Sequence, residues 1–488
     1  MRKLVLAVAV AVFGFTSSAF ATDGRTAVGM CTTTCAGTNF NTNGTVSGNV
    51  SVTPSVNTTY SVTCNGAGGS ATDDAVAAVT QPQPQPGCNV AGGTSTAPTN
   101  LGAAIQKANC TQFNLGDGHY SSVTITRPGI TIKAVNACAA FVRPEVQINA
   151  NNVTVDGISV TATGTAMSVR NQGVKVLNSC IQGFGKTQYG NGIWVFKSAL
   201  NATNRVILDG NKFNDYGGAQ FPGAIAVGLA NDSQDINTIG IEIRNNRITN
   251  GPTGPNGIYN FCVQLFHPGL VEKNFCHTVN GTAWHNKARN SLMRCNEAVN
   301  IIGDGALYNR LDSGNVWEYN IVRDSNVGID HFMGHNTIYR GNIIYNVNYA
   351  GRIKNQGIGS STVRFENNTF YNTRGHSGFI WDLSSSAALS NILWTKNIWH
   401  TVTGAAISMQ TEAAWDETEN VFRLTQRPTG TTGAGGTSSA IDPRFVNPPA
   451  DFTVQEPQAA GKERHGRCHV SESAPAYDTR YGSNHQEQ

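Results

Sequence analysis

The chain has 488 residues, only 13% of them charged, with a formal net charge of +3; a field that weak excludes a nucleic-acid-binding surface built on basic charge. The length admits one large domain and a small one. Beyond the N-terminus no stretch stays apolar for the ~18 residues that a spanning helix needs, so no spanning helix is expected.

Arg2 and Lys3 precede an apolar run from Leu4 to Phe15, and the small residues Ala19 and Ala21 come just before Thr22. This is the pattern of a signal peptide over residues 1–21, too short for an anchor, and it predicts a secreted or periplasmic mature protein. Eleven cysteines in an exported chain predict disulfides, and the odd number leaves a thiol over. Residues 22–80 are rich in Thr, Asn, Ser and Gly, and alternate as short strands and turns towards their end. The stretch TTYSVTCNGAGGSAT resembles the last two strands of small immunoglobulin-like modules on exported bacterial enzymes. That resemblance implies a small β-sandwich-like module over 22–80, acting as a spacer or a carbohydrate binder. Residues 81–97 are a Pro/Gly-rich linker, whose opening QPQPQPG, residues 81–87, is extended and stiff. Thr99 to Ala108 reads as an amphipathic helix with Asn100 as its cap, placed to cover the open end of the large domain.

The large domain is repetitive. Short alternating apolar runs are each succeeded by an asparagine, at Asn178, Asn211, Asn246, Asn274, Asn296, Asn320, Asn342, Asn368 and Asn397, roughly 22 to 35 residues apart. One such run has too little apolar face to be stable alone; stacking the units makes a continuous apolar bore. The expected fold is therefore all-β: a right-handed parallel β-helix over 98–455, with its asparagines in a ladder at one bend. Residues 456–488 are a polar tail.

In each coil a strand follows the glycine-rich connection, and its outward side chains make a shelf for a linear polymer. Aligning TAWHNK, ALYNRL, GIDHFM and GRIKNQ puts His285, Lys287, Tyr308, Arg310, Asp330, His331, Arg352 and Lys354 on neighbouring strands, with His267 one coil earlier. Trp284, Trp381 and Phe332 lie among them. Rings that stack on sugars, mixed with cations that meet carboxylates, predict a groove for an acidic polysaccharide. β-Elimination of such a polymer removes the proton at C5, stabilises the enolate and expels the O4 leaving group. Lys287 is the expected base if desolvation and a neighbouring Arg289, Arg310 or metal ion lower its pKa. Lys287, Arg310 and His285 are the candidate catalytic residues, and Trp284, Tyr308, Asp330, His331, Arg352, Lys354 and His267 the candidate substrate-binding ones. A C5-epimerase would begin with the same proton abstraction.

The segment from 113 to 160, with its ITIKA and VTVDGI strands, resembles the opening coils of the pectate-lyase-like superfamily, and IDPRFVNPPADFTVQ resembles its closing strand pair. HNKARNSLMRCN followed by ALYNRLDSGNVWEYN is similar to the lysine and arginine coils of the chondroitinase B and alginate lyase family. That resemblance implies Lys287 as base, Arg310 as acid, and Ca²⁺ held by an asparagine and acidic residues just upstream. The strand before Lys287 departs from the pattern, with His285 and Asn286 where carboxylates are expected. Glu272, Glu297 and Asp304 are the available hard oxygen donors. Two alternatives stand beside a lyase acting as a monomer. One is a glycoside hydrolase using Asp304 and Asp330, for which GRIKNQ resembles the Arg-Ile-Lys segment of polygalacturonases. The other is a non-catalytic, adhesive β-helix.

Overall fold

The computed structural model describes residues 87–456 except 108, 188–189, 218–222, 230–237, 252–259, 311–312, 333, 356–360, 376, 384–389, 404, 409–414, 426–432 and 435–439, together with strand segments between residues 4 and 77. The cleavage point Ala21, the proline repeat 81–86, the tail beyond 456 and the side chain of Trp381 lie outside the described residues. The chain divides into two compact units, 1–85 and 86–488. In the first, Thr34–Thr38, Thr58–Gly66 and Gly69–Ala77 form an antiparallel sheet with Thr58–Gly66 in the middle, its Tyr60 and Val62 buried.

The second unit is a right-handed parallel β-helix with three strands per coil. In one coil these are Gly269–Glu272, Phe275–Val279 and Gly281–Asn286, and they pair in parallel with Leu292–Arg294, Glu297–Ile301 and Gly305–Arg310 of the next. Among the described residues, first-face strands build a 15-stranded sheet, and the strands of the second and third faces alternate in a 23-stranded one.

Alternation explains the bore. Leu208, Ile243, Val271, Met293, Trp317, Tyr339, Phe365 and Trp394 stand in register, one per coil, all inward and buried. Tyr339, Phe365 and Trp394 stack at centroid distances of 5.0 and 4.0 Å, each contact worth about 0.5–1.5 kcal/mol beyond its burial. One residue further on each strand the side chains point outward as Asp209, Arg244, Glu272, Arg294, Glu318, Arg340 and Glu366, a column of alternating sign. Such surface pairs, with their arginines part-exposed, add little stability individually. Their alternation nonetheless opposes a coil-register error, which would bring like charges together.

The bend between the first and second faces is held by the asparagine ladder. In each rung the side-chain oxygen of one asparagine accepts from the backbone N–H and the amide of the asparagine one coil earlier, as in Asn296 to Asn320 at 3.1 and 3.0 Å. The ladder runs from Asn211 to Asn420. Two points differ from the sequence reading. Asn178 is exposed with φ 47°, and Ser179 occupies the first rung, its N–H donating to Asn211 Oδ1. Asn420 is a rung hidden in the polar run DETEN. The residue before each rung from Gly210 to Glu419 has a positive φ, a conformation that non-glycine residues accept only when something fixes the turn.

At the N-terminal end of this unit the helix Leu101–Ile105 covers the bore, with Asn100 Oδ1 accepting from Ala103 N at 2.9 Å and Leu101 and Ile105 in the core. It is shorter than the predicted 99–108 because the chain turns to bring Cys110 to Cys88. Disulfides also join Cys138 to Cys180 and Cys262 to Cys276. Near the C-terminus Phe445–Asn447 pairs antiparallel with Asp451–Val454. The rings of Phe445 and Phe452 pack on Tyr371, at 6.0 and 5.4 Å, so this pair lies along the flank of the helix. Among the described residues no helix is long and apolar enough to cross a membrane.

Candidate functional site on the third face

Five consecutive third-face strands carry the site: β1 (Asn260–Leu265), β2 (Gly281–Asn286), β3 (Gly305–Arg310), β4 (Val327–Phe332) and β5 (Tyr349–Asn355). Their register sorts the candidates by parity. Gln264, His285, Tyr308, Asp330 and Arg352 form one outward column. Two residues on, Arg310, Phe332 and Lys354 form a second. Lys287 joins it at the end of β2, its N–H donating to Leu265 O at 2.8 Å.

Three candidates face the other way. Trp284 stands in the inward column of Val263, Leu307 and Ile329 and is fully buried, so its ring is core and cannot stack on a sugar. His331 lies in the inward column of Asn286, Asn309 and Ile353, with Nδ1 3.2 Å from the Tyr339 hydroxyl; burial pushes its imidazole down to about 4. His267 is fully buried as well. These three leave the shelf because strand parity is strict: a one-residue step moves a side chain to the opposite face.

On the outer face Lys287 Nζ sits 5.0 Å from the Phe266 ring centroid. Burial, and after it the Arg310 charge, lower its ammonium to about 8. Arg310 lies over Phe332 at 5.1 Å, and its buried Nε has no hydrogen-bond partner among the described residues. His285 is 3% exposed, stacked on Phe261 at 4.7 Å and tilted against Tyr308 at 4.8 Å. Burial, then the charges of Lys287 and Arg310, hold its imidazole well below its usual range. The Gln264 amide donates to its Nδ1 at 3.1 Å, which leaves the ring proton on Nε2. Asp330 is fully buried beneath Arg352, whose Nε donates to Oδ2 at 2.8 Å, and Arg352 also binds Asp304. Burial raises the Asp330 carboxyl. Lys354 completes the second column, 6.0 Å from the Phe332 ring.

The oxygen donors read from the sequence do not assemble around Lys287. Glu272 is held by Arg294 at 2.7 Å on the first face, Glu297 by Arg323 at 2.9 Å on the second, and Asp304 by Arg352. The outward positions upstream of His285 and Lys287 are Gln264 and Phe266, and the Asn286 amide is engaged by both backbone groups of Ala288. These residues do not fit the Ca²⁺ cage that the resemblance implies. Among the described residues no three His, Cys, Asp or Glu side chains converge as a metal site.

No protein-family model matches the chain, and no curated protein matches it in sequence. Among solved structures, the PL6 family alginate lyase AlyGC aligns with TM-score 0.58 and 16% identity over 78% of this chain and 58% of that one. A mutant of AlyGC aligns with TM-score 0.54 and 18% identity over 71% and 53%. This chain therefore spans little more than half the length of those enzymes. It shares their right-handed parallel β-helix fold.

Within this β-helix the sequence reading overlooked Gln264, Phe261 and Phe266, which shape the environment of His285 and Lys287 from the preceding coil. CVQLFH carries the signal, since Gln264 and Phe266 share the outward parity of His285 and Lys287.

Proposed function

We propose that the protein is a polysaccharide lyase that cleaves a uronic-acid glycan by β-elimination, with Lys287 as the base. The observation that carries this reading is the pairing, on adjacent coils of one outer face, of a half-buried lysine lowered to about 8 with an arginine. A neutral amine is available near neutral pH to take the C5 proton, and its like-charged neighbour both lowers it and attracts the carboxylate on which the enolate charge develops. Arg310 holds that carboxylate. Lys354, two coils beyond, meets the next acidic group along a chain laid across the coils, with Phe332 between them for stacking. The similarity in fold to alginate lyases supports the choice of class.

The hydrolase reading is disfavoured by Arg352, which engages both Asp304 and Asp330; two carboxyls tied to one guanidinium do not flank a glycosidic bond as acid and base. The test is ultraviolet absorbance of C4=C5-unsaturated uronate on incubation with pectate, alginate, chondroitin, dermatan and glucuronan, with and without Ca²⁺. A rise on one of these polymers, lost in Lys287→Ala, is the expected result. New reducing ends without a rise would replace this reading by hydrolysis, and binding without any product by an adhesive role.

A further inference from the structure

A lyase needs a proton for the leaving oxygen as well as a base for C5. The resemblance offers Arg310 for that task, but a guanidinium keeps its protons at any working pH and is suited to holding an anion. Resting on the lyase reading above, we propose that Tyr308 is the general acid that protonates the O4 leaving group.

The geometry points there in three ways. Tyr308 lies on the same outward face as Lys287, directly across from His285 and diagonal to Lys287. With strands about 4.8 Å apart and alternate residues about 6.6 Å apart along a strand, that diagonal spans a single sugar ring. Its ring is clamped between His285 at 4.8 Å and Phe332 at 6.4 Å, and with Phe332 it forms a small cluster separate from the bore. Its neighbours also keep it protonated: burial comes first, and the Asp330 carboxylate on the next coil disfavours a second negative charge beside it. A phenol held this way cannot act as the base, and its proton stays in place for the oxygen that takes the electron pair as the C4–O4 bond breaks.

The step balances. The neutral Lys287 amine takes the C5 proton, and the C5–H electron pair becomes the C4=C5 double bond through the enolate. The C4–O4 bond breaks with its pair on oxygen, and the Tyr308 proton goes to that oxygen. Solvent then returns a proton to the phenolate and removes one from the Lys287 ammonium.

The test compares wild type and Tyr308→Phe on the polymer and on a short uronate oligomer whose non-reducing uronate carries a nitrophenoxy leaving group on C4, which departs without protonation. The phenylalanine ring preserves the packing, and circular dichroism with the melting temperature verifies the fold. The expected result is a loss of kcat of about 10²–10⁴-fold on the polymer, with KM unchanged and the nitrophenyl substrate eliminated near the wild-type rate. Equal loss on both substrates would overturn the proposal, as would full retention of polymer cleavage or the same selective pattern in His285→Gln. Failure of wild type to eliminate either substrate would instead remove the lyase reading itself.

Discussion

On the lyase reading proposed above, Lys287 is the base, and its state sets a pH dependence with a definite sign. Its folded value, about 8, is depressed by burial and by Arg310, so the fraction of neutral amine rises with pH. The rate of β-elimination is expected to climb through this value and level off above it, with no fall attributable to Tyr308, whose phenol stays protonated further up. A kcat/KM profile checks this, and removing the Arg310 charge with Arg310→Gln is expected to move the rise upward. A rise well below neutrality would identify a different base. This pairing of Lys287 with Arg310 was legible because both residues hold the same offset within their coils. The inward turn of Trp284, His267 and His331 was legible only through parity: TAWHNK contains His285 and Lys287 at one parity and Trp284 at the other. Reading the motif as a block of useful residue types concealed that difference. The capture of Asp304 and Asp330 by Arg352 was not legible at all, because it joins three coils and depends on their exact stacking.

At the level of the repeating element, the asparagine rungs act through saturation of their hydrogen bonds. Asn320 Oδ1 accepts from the backbone and amide of Asn296, while its own amide donates to Met293 O and Asn342 Oδ1 at 3.0 and 2.9 Å. Truncation to alanine strands buried donors and acceptors, at about 1–3 kcal/mol for such a group. Asn320→Ala is therefore expected to lower the urea midpoint clearly, whereas Asn178→Gly, at an exposed position with φ 47° that glycine accepts, is expected to change it little. Equal effects would mean that the ladder is decoration on a fold held by the bore. The repeat period and the identity of most rungs could be read from the sequence because each follows an apolar alternation. Asn178 and Asn420 show the boundary of that signal. Ser179, one residue later, fills the rung that Asn178 occupied in the pattern, and the strand before Asn420, Trp415–Thr418, has two adjacent charged residues that hide its alternation.

Across the whole molecule, the buried histidines make stability depend on acid. His285 and His331 are almost completely enclosed, and burial lowers both; His277 and His400 are lowered in the same way in half-buried positions. In the unfolded chain each takes up a proton near its ordinary value of 6.5, while the folded form resists. Below 6.5 the unfolded state therefore binds more protons, and stability falls as the pH falls. For His331 the loss is complete once the pH reaches its folded value of about 4, a difference worth about 3 kcal/mol by linkage. Stability should accordingly be flat from neutral pH down to about 6.5 and then decline, without waiting for the carboxylates to protonate. His331→Asn separates this effect from general acid denaturation, because asparagine already fills the same column at Asn286 and Asn309 and does not titrate. Urea midpoints at pH 7 and pH 4.5 are expected to differ less in the variant than in wild type. The variant is expected to be the less stable protein at pH 7, where the contact with Tyr339 is lost, and to regain ground on acidification. Parallel acid sensitivity in the two proteins would show that water reaches His331 inside the bore and that its burial does not govern its protonation.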